Sequence, residues 1–288
     1  MHSRARPGNV RYGISFQIAT IPHRARILLA LFPEDFMAAR NRSAHASGSN
    51  GRDAPAPQLN LLLATLPADE LELILEHATS VKCEQRLVLF EQNDPIDNVY
   101  FPLTGLGSFV TTLNDGDELE AMTVGREGFI GLPVFHGIPA SRTRVVCQVG
   151  GDFLQIPSPS FKTILSQTRD LHVLLHRFAQ FTMDSLSQYC ACNSKHLIEQ
   201  RCARWLLTTS DSVDRVEFNV TQEFLSQRLA VRRAGVTVAL GALERQGLIS
   251  HRYGVVKIND VNGLKQAACE CFATIQEAKR AMLSDSES

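Results

Sequence analysis

Residues 220–249 constrain this chain more than any other stretch. Phe224, Leu225 and Leu229 fall on one side of a helix, and Val236, Ala239, Leu240 and Leu243 fall on one side of a second. Ala230, Val231 and Arg232 leave only a tight corner between them. Thr221 stands where an N-cap belongs, with Gln222 and Glu223 in the first turn to meet free backbone N–H groups. Gly247 follows the second helix, at the position that favours left-handed backbone. Two short amphipathic helices joined so closely bury their apolar sides together and turn the other face of the second helix outward. That face opens with Arg232 and Arg233 and carries the Thr237 hydroxyl, a set suited to base edges in a DNA major groove. The order of parts is that of a helix-turn-helix.

The residues after this pair sharpen the reading. Ser250 to Ile258 predicts two short strands around a turn at Tyr253 and Gly254, a basic β-hairpin that makes the unit a winged helix. Between 221 and 258 six basic residues (Arg228, Arg232, Arg233, Arg245, Arg252, Lys257) stand against two acids, Glu223 and Glu244. The first 57 residues carry eight basic and three acidic residues, so with a net charge of −1 the remainder lies close to −10. A basic module on an acidic body suits a protein that touches DNA with one face.

The rest of the chain divides by composition. Residues 1–57, rich in arginine and small polar residues and closed by Ala54 to Pro57, read as a disordered tail, with Met37 an alternative start of translation. Residues 58–170 open with a helix after Pro67 and continue through short β segments at 87–90, 98–101, 107–113, 119–124, 145–149 and 153–156. This spacing predicts a small antiparallel β-roll or jelly roll. Residues 171–194 form one long helix on which Leu171, Leu175, Phe178, Thr182, Ser185 and Tyr189 step by four and three. This seam pairs with a copy of itself or packs on the chain's own roll, and Leu171, Leu175, Phe178, Thr182 and Tyr189 are taken as the dimer contact. Residues 195–288 begin with a helix over 197–208, continue as the winged unit and end in a C-terminal tail.

Seven cysteines, an odd number with no secretory signal, indicate reduced thiols and a cytoplasmic location. Cys190 with Cys192, and Cys269 with Cys271, are spaced so that two thiols on one helix point about 200° apart. Neither pair holds a metal by itself, and no metal site is expected. His172 and His176 stand one helical turn apart without a third ligand and read as surface or seam histidines. No phosphate loop, nucleophile elbow or catalytic carboxylate pair occurs, and no apolar run is long enough to cross a membrane, so neither an enzyme nor a membrane partner is expected.

A β-roll, a long dimerisation helix and a winged helix in this order resemble the Crp/Fnr (catabolite activator protein) superfamily of transcription regulators, over about residues 60 to 258. Leu89 to Asp94 and Tyr100 to Gly105 resemble its opening strands. Gly128 to Gly131 and Ser141 to Thr143 fall at the spacing of its phosphate-binding cassette. The resemblance implies an effector site at Gly131, Arg142 and Thr143. Members that bind cyclic AMP have Gly-Glu there, the glutamate accepting the ribose hydroxyl, whereas this chain has Gly131 and Leu132. Arg233 keeps the family's base-reading arginine, while the following glutamate and the later arginine are Ala234 and Val238. Thr221, Gln222, Arg252 and Tyr253 then lie over phosphates. The oxygen-sensing branch carries an N-terminal cysteine cluster, and residues 1–57 contain no cysteine.

These features together predict an α+β chain acting as a sequence-specific regulator that binds double-stranded DNA as a homodimer. RNA polymerase is a further partner of an activator; no cofactor is required, and binding is independent of cyclic AMP. Two alternatives stay open: a cyclic-nucleotide-responsive regulator using Arg142 and Thr143, and a cupin-like barrel whose C-terminal helices serve protein contacts.

Overall fold

The computed structural model describes residues 59–116 and 118–284. The expected tail over 1–57, with Met37, lies outside the described residues. Helix α1 (Ala68–His77) follows Pro67 and carries Asp69 and Glu70 in its first turn. Seven strands then form the roll: β1 (Thr79–Cys83), β2 (Val88–Phe90), β3 (Asn98–Pro102), β4 (Leu106–Thr112), β5 (Glu118–Val124), β6 (Arg144–Val149) and β7 (Gly151–Pro157). They make two antiparallel sheets, ordered β1-β7-β3 and β2-β6-β4-β5. All six anticipated β segments fall on strands. The strand not anticipated, β1, is an edge strand whose only buried residue is Cys83, so it lacks the alternation that betrays a half-buried strand. Inside the roll, Phe129 lies 4.9 Å from Phe101 and 5.1 Å from Phe161 between ring centroids.

Helix α2 (Leu132–Phe135) and helix α3 (Ser158–Gln167) precede the 26-residue α4 (Asp170–Lys195). No side chain of its own caps α4; instead Glu70 of α1 accepts from the backbone N–H groups of Arg169, Asp170 and Leu171 at 2.7, 2.9 and 2.8 Å. A carboxylate there also meets the positive end of the helix dipole. Among the described residues no helix is long and apolar enough to cross a membrane.

The predicted dimer seam is corrected at Leu171, Leu175, Phe178 and Thr182, which are buried within the single chain. Leu171 and Leu175 are 0 % exposed, Phe178 1 % and Thr182 9 %, all within a single chain, and Tyr189 is half-buried with the Arg204 guanidinium 4.7 Å above its ring. The most apolar side of α4 covers the roll of its own chain. The residues of α4 left exposed include Val173, His176, Gln180, Met183, Ser187 and Cys190, which step by three and four.

Helix α5 (Ile198–Val213) runs five residues past its expected end, burying Ser212 and Val213 before Asp214 turns left-handed. Strand β8 (Glu217–Asn219) leads to α6 (Gln222–Arg228) and α7 (Arg233–Arg245), then β9 (Ile249–Arg252) and β10 (Val255–Ile258). Sheet order β8-β10-β9 adds a strand, β8, to the predicted hairpin, and of its three residues Phe218 is buried. Around Trp205 of α5, the buried sides of these elements form a second core.

The predicted C-terminal tail is corrected as well. After α8 (Val261–Ala267), helix α9 (Cys271–Leu283) folds back on α4, with Ile275 and Met282 entering the core of the roll. Cys271, Ile275, Ala278 and Met282 recur at helical spacing, a signal present in the sequence.

A buried ion pair is among the contacts that tie the two cores together. Glu120 of β5 accepts from Ser108 Oγ at 2.6 Å through Oε2 and from Trp205 Nε1 at 3.1 Å through Oε1, and Arg228 Nε of α6 lies 3.4 Å from the same Oε2. Arg228 also lies over the Phe224 ring, 4.2 Å from its centroid. It was counted among the basic residues of the winged unit, but it faces inward.

Candidate nucleic-acid interface

Each part of the helix pair is held by the chemistry its sequence suggests. Thr221 Oγ1 accepts from the backbone N–H of Phe224 at 3.1 Å, so the N-cap forms and the hydroxyl keeps its own proton to donate. Leu225 and Leu229 of the first helix and Val236, Ala239, Leu240 and Leu243 of the second are all at most 3 % exposed. Ala230 takes the left-handed corner, with φ +50°. Gly247 closes α7 at φ +73°. Its N–H donates to Glu244 O at 2.8 Å and that of Leu248 to Leu243 O at 3.0 Å, the paired bonds of a Schellman end.

The packing turns Arg233, Ala234, Thr237 and Val238 of α7 to solvent, with Arg232 exposed at its N-cap. Val238 is 69 % exposed, a large apolar residue held in water. It counted in the sequence only as a departure from the resembling family, yet an outward valine on such a helix suits the methyl group of thymine. A shallow open depression at the start of α7 is lined by Thr221, Gln222, Glu223, Arg233, His251, Tyr253 and Gly254. Residues from three elements thus converge at one concave rim: the start of α6, the start of α7 and the tip of the hairpin.

At that tip Arg252 pairs with Val255, and Tyr253 and Gly254, at φ +52° and +76°, make the two-residue turn. Tyr253 stands fully in solvent. The base of the hairpin is tied to α7 where His251 N–H donates to Glu244 Oε1 at 2.6 Å. Thr237 Oγ1 lies 2.9 Å from Gln222 Oε1 and 3.1 Å from Arg233 O, so two of the predicted DNA-contacting residues are already bonded to each other. Arg232 and Arg252 are exposed but do not line the depression. Arg228 is removed from the face altogether by Glu120.

The residues assigned to an effector are less gathered. Gly131 is buried at φ +149°, where a Cβ would come within 2.5 Å of Val99, so the backbone requires glycine with or without a ligand. Leu132 packs on the core of the roll. Arg142 is exposed, forms no ion pair among the described residues and reaches Asn93 Oδ1 at 3.4 Å; Thr143 is tied to Ser141, whose Oγ accepts its N–H at 3.1 Å. The neighbouring Arg144 is the arginine that is paired, with Glu91 at 3.2 Å and Glu118 at 2.9 Å.

Two family models match: the cyclic nucleotide-binding domain over residues 80–168 and the Crp-like helix-turn-helix domain over 200–267. No curated protein matches the chain. The c-di-GMP responsive global regulator CLP of Xanthomonas campestris is similar over 67 % of this chain and 99 % of its own, at 17 % identity and a TM-score of 0.54. A CRP-family transcriptional regulator from Thermus thermophilus is similar over 65 % of this chain and 96 % of its own, at 20 % identity and the same TM-score of 0.54. At such identities the likeness is one of fold. The cupin-like alternative falls to the helix-turn-helix match, which gives the C-terminal helices a DNA-binding identity. A cyclic nucleotide-binding domain followed by a Crp-like helix-turn-helix is the composition of one group of regulators, and this chain belongs to the Crp/Fnr superfamily of transcription regulators.

Proposed function

We propose that the protein acts in the cytoplasm as a homodimer on an inverted-repeat operator, and that its DNA binding requires neither cyclic AMP nor cyclic GMP. The observation that carries the first part is the outward side of α7, Arg233, Thr237 and Val238, set beside the rim of Thr221, Gln222 and Tyr253. In this reading α7 enters the major groove, Arg233 bonds a guanine edge, Thr237 and Arg232 add polar contacts and Val238 meets a thymine methyl. Thr221, Gln222, Arg252 and Tyr253 fix register on phosphates. Arg233→Ala is expected to cost about 1–3 kcal/mol and to relax preference at one base pair of each half-site. Arg252→Ala weakens binding to all DNA alike and lowers the salt slope by about one unit. Mobility shifts on specific and random DNA check both, and an unchanged specificity ratio in Arg233→Ala sinks the assignment.

The dimer in this reading uses the exposed stripe of α4, from Val173 through Met183 to Cys190, because the more apolar stripe is already buried. Two copies related by a two-fold axis place half-sites about 34–36 Å apart. RNA polymerase is the further partner if the protein activates.

Independence of cyclic nucleotides rests on Leu132, which cannot accept a ribose hydroxyl and instead packs on the roll, whose interior is filled by Phe101, Phe129 and Phe161. An unpartnered ribose hydroxyl costs roughly 1–3 kcal/mol, or one to two decades of affinity. Arg142, exposed and without an ion pair among the described residues, is what favours the opposite reading, a nucleotide held by its phosphate. Calorimetry with both nucleotides, paired with DNA titrations, is expected to show weak binding and no dependence. Micromolar affinity that disappears in Arg142→Ala, together with nucleotide-dependent DNA binding, would falsify it.

A further inference from the structure

Each Cys-x-Cys pair taken alone is unsuited to a metal, and the expectation of no metal site followed from that. The fold removes its premise by combining the pairs. Cys192 lies in the last turn of α4, and His196 ends that helix, its N–H donating to Cys192 O at 3.1 Å. The return of α9 brings Cys269 and Cys271 to the same point, while Cys190 stays on the exposed side. Three thiol sulfurs and one imidazole nitrogen lie within 4.8 Å of one another. Cys192 Sγ is 3.5 Å from Cys269 Sγ, and Cys271 Sγ is 3.4 Å from His196 Nδ1. The three thiols are buried and the His196 ring is 17 % exposed.

We propose that Cys192, His196, Cys269 and Cys271 bind one zinc ion that joins the end of the long helix to the head of the C-terminal helix. Zn–S bonds of about 2.3 Å make a tetrahedron with edges near 3.8 Å, the scale of the separations found here. Four protein donors leave no open position, so the site is structural. Its surroundings have the features that orient ligands: Glu270 Oε1 lies 3.1 Å from His196 Nε2, leaving Nδ1 for the ion, and Gln188 Nε2 donates toward Cys271 Sγ at 3.0 Å. The thiol protons leave as the ion enters. Zinc with three thiolates carries a single negative charge, and Arg201 and Arg204 lie close enough to Cys192 to offset it. A disulfide between Cys192 and Cys269 would use two of the donors and leave Cys271 facing His196 for no purpose. A cluster of several metal atoms would need the donors further apart.

Full-length protein purified under reducing conditions with zinc supplied is expected to retain about one zinc per chain by elemental analysis. Cys192→Ser and Cys269→Ser should lose it, while Cys190→Ser, in the same pair but outside the cluster, keeps it. Glu270→Gln, which leaves every ligand in place, should weaken zinc affinity about 10–100-fold. If the ligand variants do not fold, cobalt(II) loaded into the wild-type chain gives the second reading, as the absorption of tetrahedral thiolate coordination. No retained zinc and no such cobalt spectrum overturns the proposal. So does full zinc retention in Cys192→Ser, or a Cys192–Cys269 disulfide found by peptide mapping of the reduced preparation.

Discussion

Glu120→Ala is expected to destabilise the protein by about 3–5 kcal/mol, although Glu120 belongs to no DNA or effector contact. Glu120 and Arg228 are each 7 % exposed at the side chain, so removing the carboxylate leaves a guanidinium buried without its counter-charge. Burial raises the Glu120 carboxyl above its ordinary value, against the opposing pull of Arg228, Ser108 and Trp205, and burial lowers Arg228. A raised carboxyl contributes stability below its unfolded value of 4.5 that is lost as pH rises through the folded value, so the ionised pair carries a desolvation cost. The double change Glu120→Met with Arg228→Met is therefore expected to cost much less than the single one, and a double-mutant cycle in denaturant measures the difference. A loss below about 1 kcal/mol in Glu120→Ala would mean that the pair is not buried in solution.

Phe178→Ala is expected to cost a similar 3–5 kcal/mol, and to do so within each chain. Its ring is 1 % exposed and packs so closely on the roll that a Cβ on Gly128 would come within 2.7 Å of it, with Phe181 6.3 Å away between centroids. Thermal unfolding should show the loss at any protein concentration. Met183→Asp tests the other side of the same helix: Met183 is 63 % exposed, so the change should leave each chain's fold intact. Two like charges facing across the axis should shift sedimentation toward monomer. A Phe178→Ala chain of unchanged stability that sediments as monomer would put the dimer contact back on the apolar side of α4.

The local parts of this protein were written into its sequence. The Thr221 cap, the Gly247 end, the turn at Tyr253 and Gly254 and the buried stripes of α6 and α7 each depend on residues within a few positions of one another, so spacing alone reveals them. The six anticipated strands were legible as short apolar runs set between turn residues. The two strands that escaped, β1 and β8, bury one residue each and exist because a neighbour offers its hydrogen bonds.

Choices between equivalent faces were not legible. The sequence showed an apolar stripe on α4 but not whether it met a copy or the chain's own roll, because both burials remove the same surface from water. Arg228 looked like its basic neighbours until β5 placed Glu120 against it, 108 residues away in the chain. The Glu70 cap on α4 spans about a hundred residues likewise. Two cysteine pairs, each unsuited to a metal, became four donors at one point, with His196, only when α9 returned to the end of α4. Periodicity records which side of an element is apolar; which partner that side meets is decided by how the whole chain closes its cores.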